Sequence, residues 1–547
     1  MQKPGLQKYS LFIIPILFLL YSAPSALDYV FHFPDEKYYT DAVIQMMEKD
    51  DLFTPYNSEG TPRFKKPIVT YWVLMFSYKL FGVSQFSSRI FFWLAGALLV
   101  FISYLMGKSL SGNKKIATTA AFITAANPMV LMSASRSIPD ILLVLFLTLS
   151  AWGFLEILVN EKPQKKFYWL AYLSAALAFE TKGIPAAGFA GVSILYLLLN
   201  PWKRKKIKQI FEPVSLIVAV LVALSWFIIM YFEHGSTYLS SFFADQVGYR
   251  VSSKTAQVFT NAGLGIGNLI VFLIPWIFIA FSKPKEFKSY VKKSGNQQKA
   301  IFGFILVWVL LFILMSGAVF KFYDRYVLPI IPLSALLFAY IFTETKTSFK
   351  KTIVAILLVL NVLILSINIF YAAIILPDTI LLLGIVVTIS ILAKWGFGIF
   401  KKVSKEIIIA NGVMLFYFNV FILLYPLLMP NPGKQLVAEL RENVISKSDK
   451  IYVYGNIRAA SNIRIHSKNE FNVISMDTIF TLPEEPNHFL VFDKKEQHLL
   501  DLSNYNISKG SEEWMRVPIE KFPEFLKEPI ANLKNSGTKY FIAKPNS

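Results

Sequence analysis

The sequence predicts a polytopic helical membrane protein with a small α/β domain at its C-terminal end. Three observations predict it. Apolar runs close to the ~20 residues that span a bilayer recur along residues 9–429. Over 547 residues the mean hydropathy is +0.50 and only 16% are charged, below the roughly 25% usual in soluble domains. Lysine and arginine collect in alternate short loops, which is the pattern of a chain threaded back and forth across a membrane.

Thirteen spans fall near residues 9–30, 90–107, 116–134, 139–159, 167–180, 184–200, 212–232, 263–282, 301–316, 327–343, 353–373, 377–394 and 407–429. The first follows two lysines in MQKPGLQKYS, and Ala23-Pro24-Ser25-Ala26 looks like a signal cleavage site. The run is long and further spans follow, so it reads as an uncleaved span. The loops 1–8, 108–115, 160–166, 201–211, 283–299, 344–351 and 394–405 together hold 26 Lys and Arg. The opposite short loops carry only Arg136, Lys182, Lys321 and Arg325. This asymmetry puts the N-terminus in the cytoplasm, and an odd number of spans puts the C-terminal domain outside. The net charge of +20 is thereby explained by loops facing the cytoplasm, not by nucleic acid.

The first external loop, 31–89, holds two helical stretches. In 35–49 Tyr39, Val43, Met46 and Met47 share one helical stripe, while Asp41, Gln45 and Lys49 lie on another face. The spacing predicts an amphipathic helix lying in the membrane surface. Residues 67–82 are apolar but too short to cross, and crossing would place the lysine-rich 108–115 loop outside. They are laid in the interface, with Tyr71, Trp72 and Tyr78 in the headgroup belt. Residues 1–430 thus make a membrane domain. Residues 431–547 open with a helix in PGKQLVAELREN and continue with the strand-like runs KIYVYG, FNVISMD, HFLVFD and KYFIAK, an external α/β domain.

Several chemistries are excluded. Without cysteine there is no disulfide, thiolate nucleophile or Cys-ligated metal. No Walker motif or GxGxxG fingerprint follows a strand, which argues against a nucleotide-linked donor and an ATP-driven pump. Gly263, Gly265 and Gly267 open an apolar span and suit close helix packing. His234 beside Glu233 reads as a solvated pair, and His32 with the acids that follow it is a weak metal signal.

What stands out is the pair Asp35-Glu36, just outside the first span, since ionisable groups at a membrane surface are functional candidates. Pro34-Asp35-Glu36 also suits a helix start, with Asp35 as a cap and Glu36 in the first turn. Asp140 lies four residues after Arg136, which would suit an ion pair on one helical face. Lys66, Arg250, Lys321 and Arg325 are external cations against the charge bias. They suit either lipid headgroups or a bound phosphate. Lys182 belongs with them, and Tyr326 suits either the headgroup belt or a phosphate contact.

The order of PDEKYYTDAVIQMMEKDDLFTP, RFKKPIVTYW, LFGVSQFSSR, NPMVLMSASRSIPD, LAFETKGIPA, YLSSFFADQVGYR and KFYDRYVLPIIP resembles that of the C-type (GT-C) glycosyltransferases. The closest branch is similar to the lipid A aminoarabinose transferase and the protein O-mannosyltransferases. The resemblance covers about residues 9–430. Lys65 stands where that branch has Glu before the Lys-Pro, and Asp245-Gln246 where it has Glu-His. The resemblance implies an inverting glycosyltransferase of a bacterial inner membrane, with its active site outside the cytoplasm. It would take a sugar from a polyprenyl (undecaprenyl) phosphate and give it to lipid A, another glycan or a protein hydroxyl. Asp35 would be the general base, Glu36 and Asp140 would stand beside it, and Lys66, Arg250, Lys321, Arg325 and Tyr326 would hold the donor phosphate. No cofactor is required, and a loosely held Mg²⁺ or Mn²⁺ is compatible with these residues. The rival is a transporter or flippase for a lipid-linked sugar. Such proteins keep charge near the bilayer midplane, where this chain has almost none.

Overall fold

A computed structural model describes residues 5–27, 35–245, 255–344, 349–374, 379–396, 403–424, 433–443, 449–455, 457–477, 479–485, 487–508, 511–512, 527–528, 531–532 and 539–546. The helices run α1 (Gly5–Leu27), α2 (Glu36–Glu48), α3 (Val69–Phe81), α4 (Gln85–Ser111), α5 (Lys114–Ala125), α6 (Pro128–Ala134), α7 (Asp140–Val159) and α8 (Lys165–Lys182). They continue as α9 (Ile184–Leu199), α10 (Ile207–Ile210), α11 (Pro213–Phe243), α12 (Thr255–Phe272), α13 (Trp276–Phe281), α14 (Pro284–Lys293) and α15 (Asn296–Ala318). A 3₁₀ segment, Asp324–Ile330, leads into α16 (Ile331–Glu344), followed by α17 (Phe349–Ile374), α18 (Thr379–Gly396) and α19 (Lys405–Asn419).

Each of the thirteen apolar segments is occupied by helix. Two of them are broken. Segment 116–134 splits into α5 and α6, bent by 63°. Asn127 sits at the break, where its Oδ1 accepts from the Met129 N–H at 3.0 Å and starts the second helix. Segment 263–282 divides between α12 and α13. Among the described residues seven helical stretches are long and apolar enough to cross a bilayer alone, and the bent pair makes an eighth. The chain is a multi-pass membrane protein. The central helices α4, α5 and α7 bury most of their side chains, whereas α11 and α17 leave broad apolar faces outward, as a bilayer-embedded perimeter requires.

The first external loop departs from the sequence reading. Helix α3 packs between α2 and α4, and Tyr71 and Tyr78 are buried in the protein core rather than standing in a headgroup belt. Only Trp72 faces outward, its Nε1 donating to the Leu52 carbonyl at 2.7 Å. Helix α2 is covered on both faces. The stripe of Tyr39, Val43 and Met46 is buried as expected, but so are Thr40 and Asp41. The reason is the C-terminal domain, which lies on the polar face of α2.

That domain opens with α20 (Gly433–Asn443), then β1 (Lys450–Tyr454), α21 (Ile457–His466), β2 (Asn472–Asp477), β3 (His488–Asp493), β4 (Tyr505–Ile507), β5 (Ser511–Glu512) and β6 (Lys539–Pro545). The sheet order is β2-β1-β3-β6-β4, with β5 also on β6. The β1–β2 and β1–β3 pairs are parallel and the rest antiparallel. One face packs on α20 and α21 through Leu436, Leu440, Ala460 and Ile463 against Ile451, Val453 and Val491. The four strand-like runs and the opening helix are where the sequence put them. Helix α21 has no apolar periodicity strong enough to announce it, and it packs against α2 of the membrane domain.

Candidate active site

The loops at one end of the helical bundle enclose a cavity of about 690 Å³. Asp35 reaches it from the start of α2, Lys66 from the 57–66 loop, and Asp140 from the start of α7. Lys182 enters from the end of α8, and Lys321, Arg325 and Tyr326 from the segment before α16. Residues up to 290 positions apart in the chain are therefore in contact here.

Asp35 occupies the N-cap position of α2, yet its side chain makes no capping hydrogen bond. It turns instead into the cavity, where Arg325 Nη2 donates to its Oδ2 at 2.7 Å. The Asp35 side chain remains 37% exposed, so a ligand can reach it. Asp140 is different. It is 3% exposed, accepts a short hydrogen bond from Lys182 Nζ, and lies 3.5 Å from Arg325 Nε. Arg136 precedes α7 in a turn and is not the partner of Asp140, so the helical ion pair suggested by spacing is replaced by two cations from α8 and the 324–330 segment. Arg325 therefore pairs with both carboxylates, hydrogen-bonded to Asp35 through Nη2 and ion-paired with Asp140 at 3.5 Å from Nε.

Glu36 does not join this site. It points into the bundle, fully buried, where Arg89 donates Nε to its Oε1 and Nη2 to its Oε2, both at 3.0 Å. The Ser137 N–H and Oγ donate to the same Oε1 at 3.0 and 3.2 Å. This saturated ion pair ties α2 to α4 and to the turn before α7, and leaves Glu36 no access to a substrate. Arg250 and Gln246 lie outside the described residues, as does His32. His234 shares a 2.9 Å hydrogen bond with Thr54 and packs on the Phe64 ring, away from any acidic cluster.

Lys66 is 7% exposed and faces the cavity. Lys182 stands 5.3 Å from the centre of the Tyr326 ring, and Arg325 stacks at 4.6 Å on the ring of Tyr323. Tyr326 is thus a wall of the cavity and not a belt residue. Sequence reasoning grouped Lys182 with the external cations; the structure makes it the direct partner of Asp140. It passed over Arg63, stacked at 4.6 Å on Tyr38, and Tyr39, whose phenol burial pushes well above its ordinary value and keeps protonated. Both line the cavity. Their signal was their place on the same two loops as Asp35 and Lys66.

A second, apolar cavity of about 190 Å³ adjoins the first between α9, α15 and the 324–330 segment. Leu143, Ile184, Phe189, Phe312, Met315 and Leu328 line it, and Lys66, Asp140, Lys182, Arg325 and Tyr326 border both spaces. A greasy slot with three cations at its mouth can take an amphiphile whose head is a phosphate.

Residues 65–230 match the family model of dolichyl-phosphate-mannose-protein mannosyltransferases. Over nearly the whole length the structure is similar to the crystal structure of ArnT from Cupriavidus metallidurans in the apo state. The TM-score is 0.72 at 13% identity, covering 97% of each chain. The chain has the fold of the C-type glycosyltransferases. A second crystal structure with that fold, the same ArnT bound to undecaprenyl phosphate, is similar at a TM-score of 0.69 and 16% identity, covering 91% of this chain and 95% of the other. An uncharacterized protein of Aquifex aeolicus is 28% identical over 338 residues, 61% of this chain and 64% of its own. The undecaprenyl phosphate-alpha-4-amino-4-deoxy-L-arabinose arabinosyl transferase of Yersinia enterocolitica is 26% identical over 310 residues. That match takes in 56% of this chain and 54% of the transferase, so the chain spans about half the length of that curated relative.

The Arg325 guanidinium stands between Asp35 and Asp140, hydrogen-bonded to the first and 3.5 Å from the second, so a divalent metal bridging the two carboxylates does not fit them as they stand. No group of three or more His, Asp and Glu converges elsewhere among the described residues.

Proposed function

We propose that the protein is a glycosyltransferase that takes a sugar from a polyprenyl phosphate and passes it to an acceptor outside the cytoplasm, in a bacterial inner membrane. The observation that carries this reading is the common border of the two cavities, with Lys66, Lys182 and Arg325 along it and Asp35 a few ångströms beyond. The polyprenyl chain lies in the apolar slot and its phosphate meets the three cations. The acceptor oxygen attacks the anomeric carbon as the carbon–phosphate oxygen bond breaks. Asp35 takes the acceptor proton, and the polyprenyl phosphate departs with one more negative charge than it had as a diester. Cations already in place stabilise that charge without reorganising. Asp140 anchors Lys182 and Arg325 and does not act on the substrate itself. Single displacement inverts the anomeric centre.

The mouth of the cavity adds Lys37, Arg63, Lys65 and Lys321 against Glu59 and Asp245. This excess of positive charge favours an acceptor that carries negative charge of its own, such as a phosphorylated glycolipid, over a neutral protein hydroxyl. The similarity to a transferase named for undecaprenyl phosphate and 4-amino-4-deoxy-L-arabinose supports the donor class. The test is turnover of labelled undecaprenyl-phosphate sugars by the purified protein. Wild type transfers label, also in EDTA, with Arg325 in the place of a bridging cation. Asp35→Asn loses roughly 10²–10⁴ in rate, the usual worth of a positioned general base. Movement of the lipid across vesicles without turnover would instead identify a flippase.

A further inference from the structure

We propose that the C-terminal domain holds the rim of the active-site cavity in place, with Arg464 as a positioning residue that acts through Asp41 and Ser58. Asp41 is the hub. It lies on α2, 1% exposed, and its Oδ2 accepts from Ser58 Oγ at 2.7 Å and from Ser461 Oγ of α21 at 2.8 Å. Arg464 Nη1, also on α21 and 3% exposed, stands 2.9 Å from Asp41 Oδ1. Its other nitrogen, Nη2, donates to the Val473 carbonyl at 2.6 Å, which fixes the guanidinium to the sheet. A second link crosses the same junction, from Asn469 Nδ2 to Glu48 Oε1 at 3.1 Å.

The other end of the linkage is the cavity. Ser58 and Glu59 line the 690 Å³ space on one side and a 170 Å³ space between the domains on the other. The rim is thus a thin wall. It is closed on itself by Asn57 N–H to Thr61 O at 2.7 Å and Gly60 N–H to Asn57 O at 2.9 Å, and tied to α2 by Lys49 Nζ to Gly60 O at 2.9 Å. Arg63 and Lys65 follow directly, so the position of the rim sets the position of two cations at the cavity mouth. A buried carboxylate needs its partners, because leaving either charge uncompensated is strongly unfavourable. The domain interface is therefore built around a group that tethers the site.

The test uses the full chain in lipid nanodiscs and follows amide hydrogen exchange. In Arg464→Gln, exchange at residues 57–60 rises about tenfold while the amides of α4 stay protected, since local opening is read separately from global unfolding. Arg441→Gln removes an exposed ion pair with Glu470 elsewhere on the same domain and leaves the rim as in wild type. An unchanged rim in Arg464→Gln, or equal loosening throughout the membrane domain, overturns the proposal. The chain has no cysteine, so a Ser58→Cys, Ser461→Cys pair placed in the Arg464→Gln background can be oxidised alone. Cross-linking restores rim protection; failure to cross-link or to restore protection overturns the proposal. The consequence for transfer rests on the function proposed above. With undecaprenyl-phosphate sugar as donor and a bacterial envelope extract as acceptor, Arg464→Gln raises the apparent KM for the extract about tenfold and leaves kcat within about twofold. A fall in kcat at unchanged KM overturns that consequence. If wild type transfers nothing, the glycosyltransferase reading fails while the exchange result still decides the positioning role.

Discussion

Asp35 and Glu36 are adjacent carboxylates with opposite surroundings. Successive residues of a helix point about 100° apart, so one can face a cavity while the next faces the bundle. Glu36 received Arg89 and Ser137 and became part of the core; Asp35 received Arg325 and stayed open to solvent. The two substitutions should therefore separate stability from activity. Glu36→Gln strands the buried Arg89 charge and costs about 3–5 kcal/mol, read as a lower thermal midpoint in detergent. Asp35→Asn keeps an acceptor for Arg325 at a half-exposed site and costs about 1 kcal/mol or less, with activity lost instead. Equal midpoints for the two variants would contradict this assignment. The sequence made Asp35 visible as a member of an ordered motif. It did not distinguish a cap from a site residue, because that choice depends on Arg325, which arrives from the other end of the membrane domain. Nor did it reveal the Glu36 partner, since Arg89 looked like any polar residue at the mouth of a span.

At the scale of elements, the site depends on how closely α7 and α8 approach. Asp140 begins one helix and Lys182 ends the other, so the pair forms only if the two antiparallel helices hold their spacing. Gly153 sets that spacing. A Cβ there would come within 2.7 Å of the Ala171 Cα and the Phe167 carbonyl oxygen, backbone atoms that cannot rotate away. Ser150 Oγ donates to the Ala171 carbonyl at 2.8 Å one turn nearer the site. Gly153→Ala should force the helices apart, cost about 1–3 kcal/mol as overpacking does, and weaken the proposed binding of undecaprenyl phosphate by separating Lys182 from Asp140. Wild-type affinity in a fully folded Gly153→Ala variant would refute this coupling. Helix existence was legible here because apolar length and loop charge are local signals. The surroundings of α2 and α3 were not. Periodicity gave α2 its buried stripe of Tyr39, Val43 and Met46. It assigned the Asp41 face to water because it cannot see a domain more than 400 residues away docking upon that face.

For the whole molecule, the charge pattern that predicts the chain's orientation also marks the cavity. Twenty-six Lys and Arg fall in one set of loops, and four in the opposite short loops. Of those four, Lys182, Lys321 and Arg325 line the cavity, and only Arg136 does not. Exceptions to the inside bias are costly to orientation, so their convergence at one end of the bundle is evidence that the end is used. It follows that the cavity and the C-terminal domain share the face opposite the basic loops. Because the chain lacks cysteine, single cysteines report this without background. Asn504→Cys on the exposed surface of the C-terminal domain should react with a membrane-impermeant maleimide on spheroplasts. Arg204→Cys, in the loop between α9 and α11, should react only after permeabilisation. The reverse pattern would place Asp35 and its cations in the cytoplasm, and an acceptor outside the cell membrane could not then be reached. Both the orientation and the proposed reaction would fall together, because the cations proposed to hold the donor phosphate and the basic loops expected in the cytoplasm must lie on opposite sides of one bilayer.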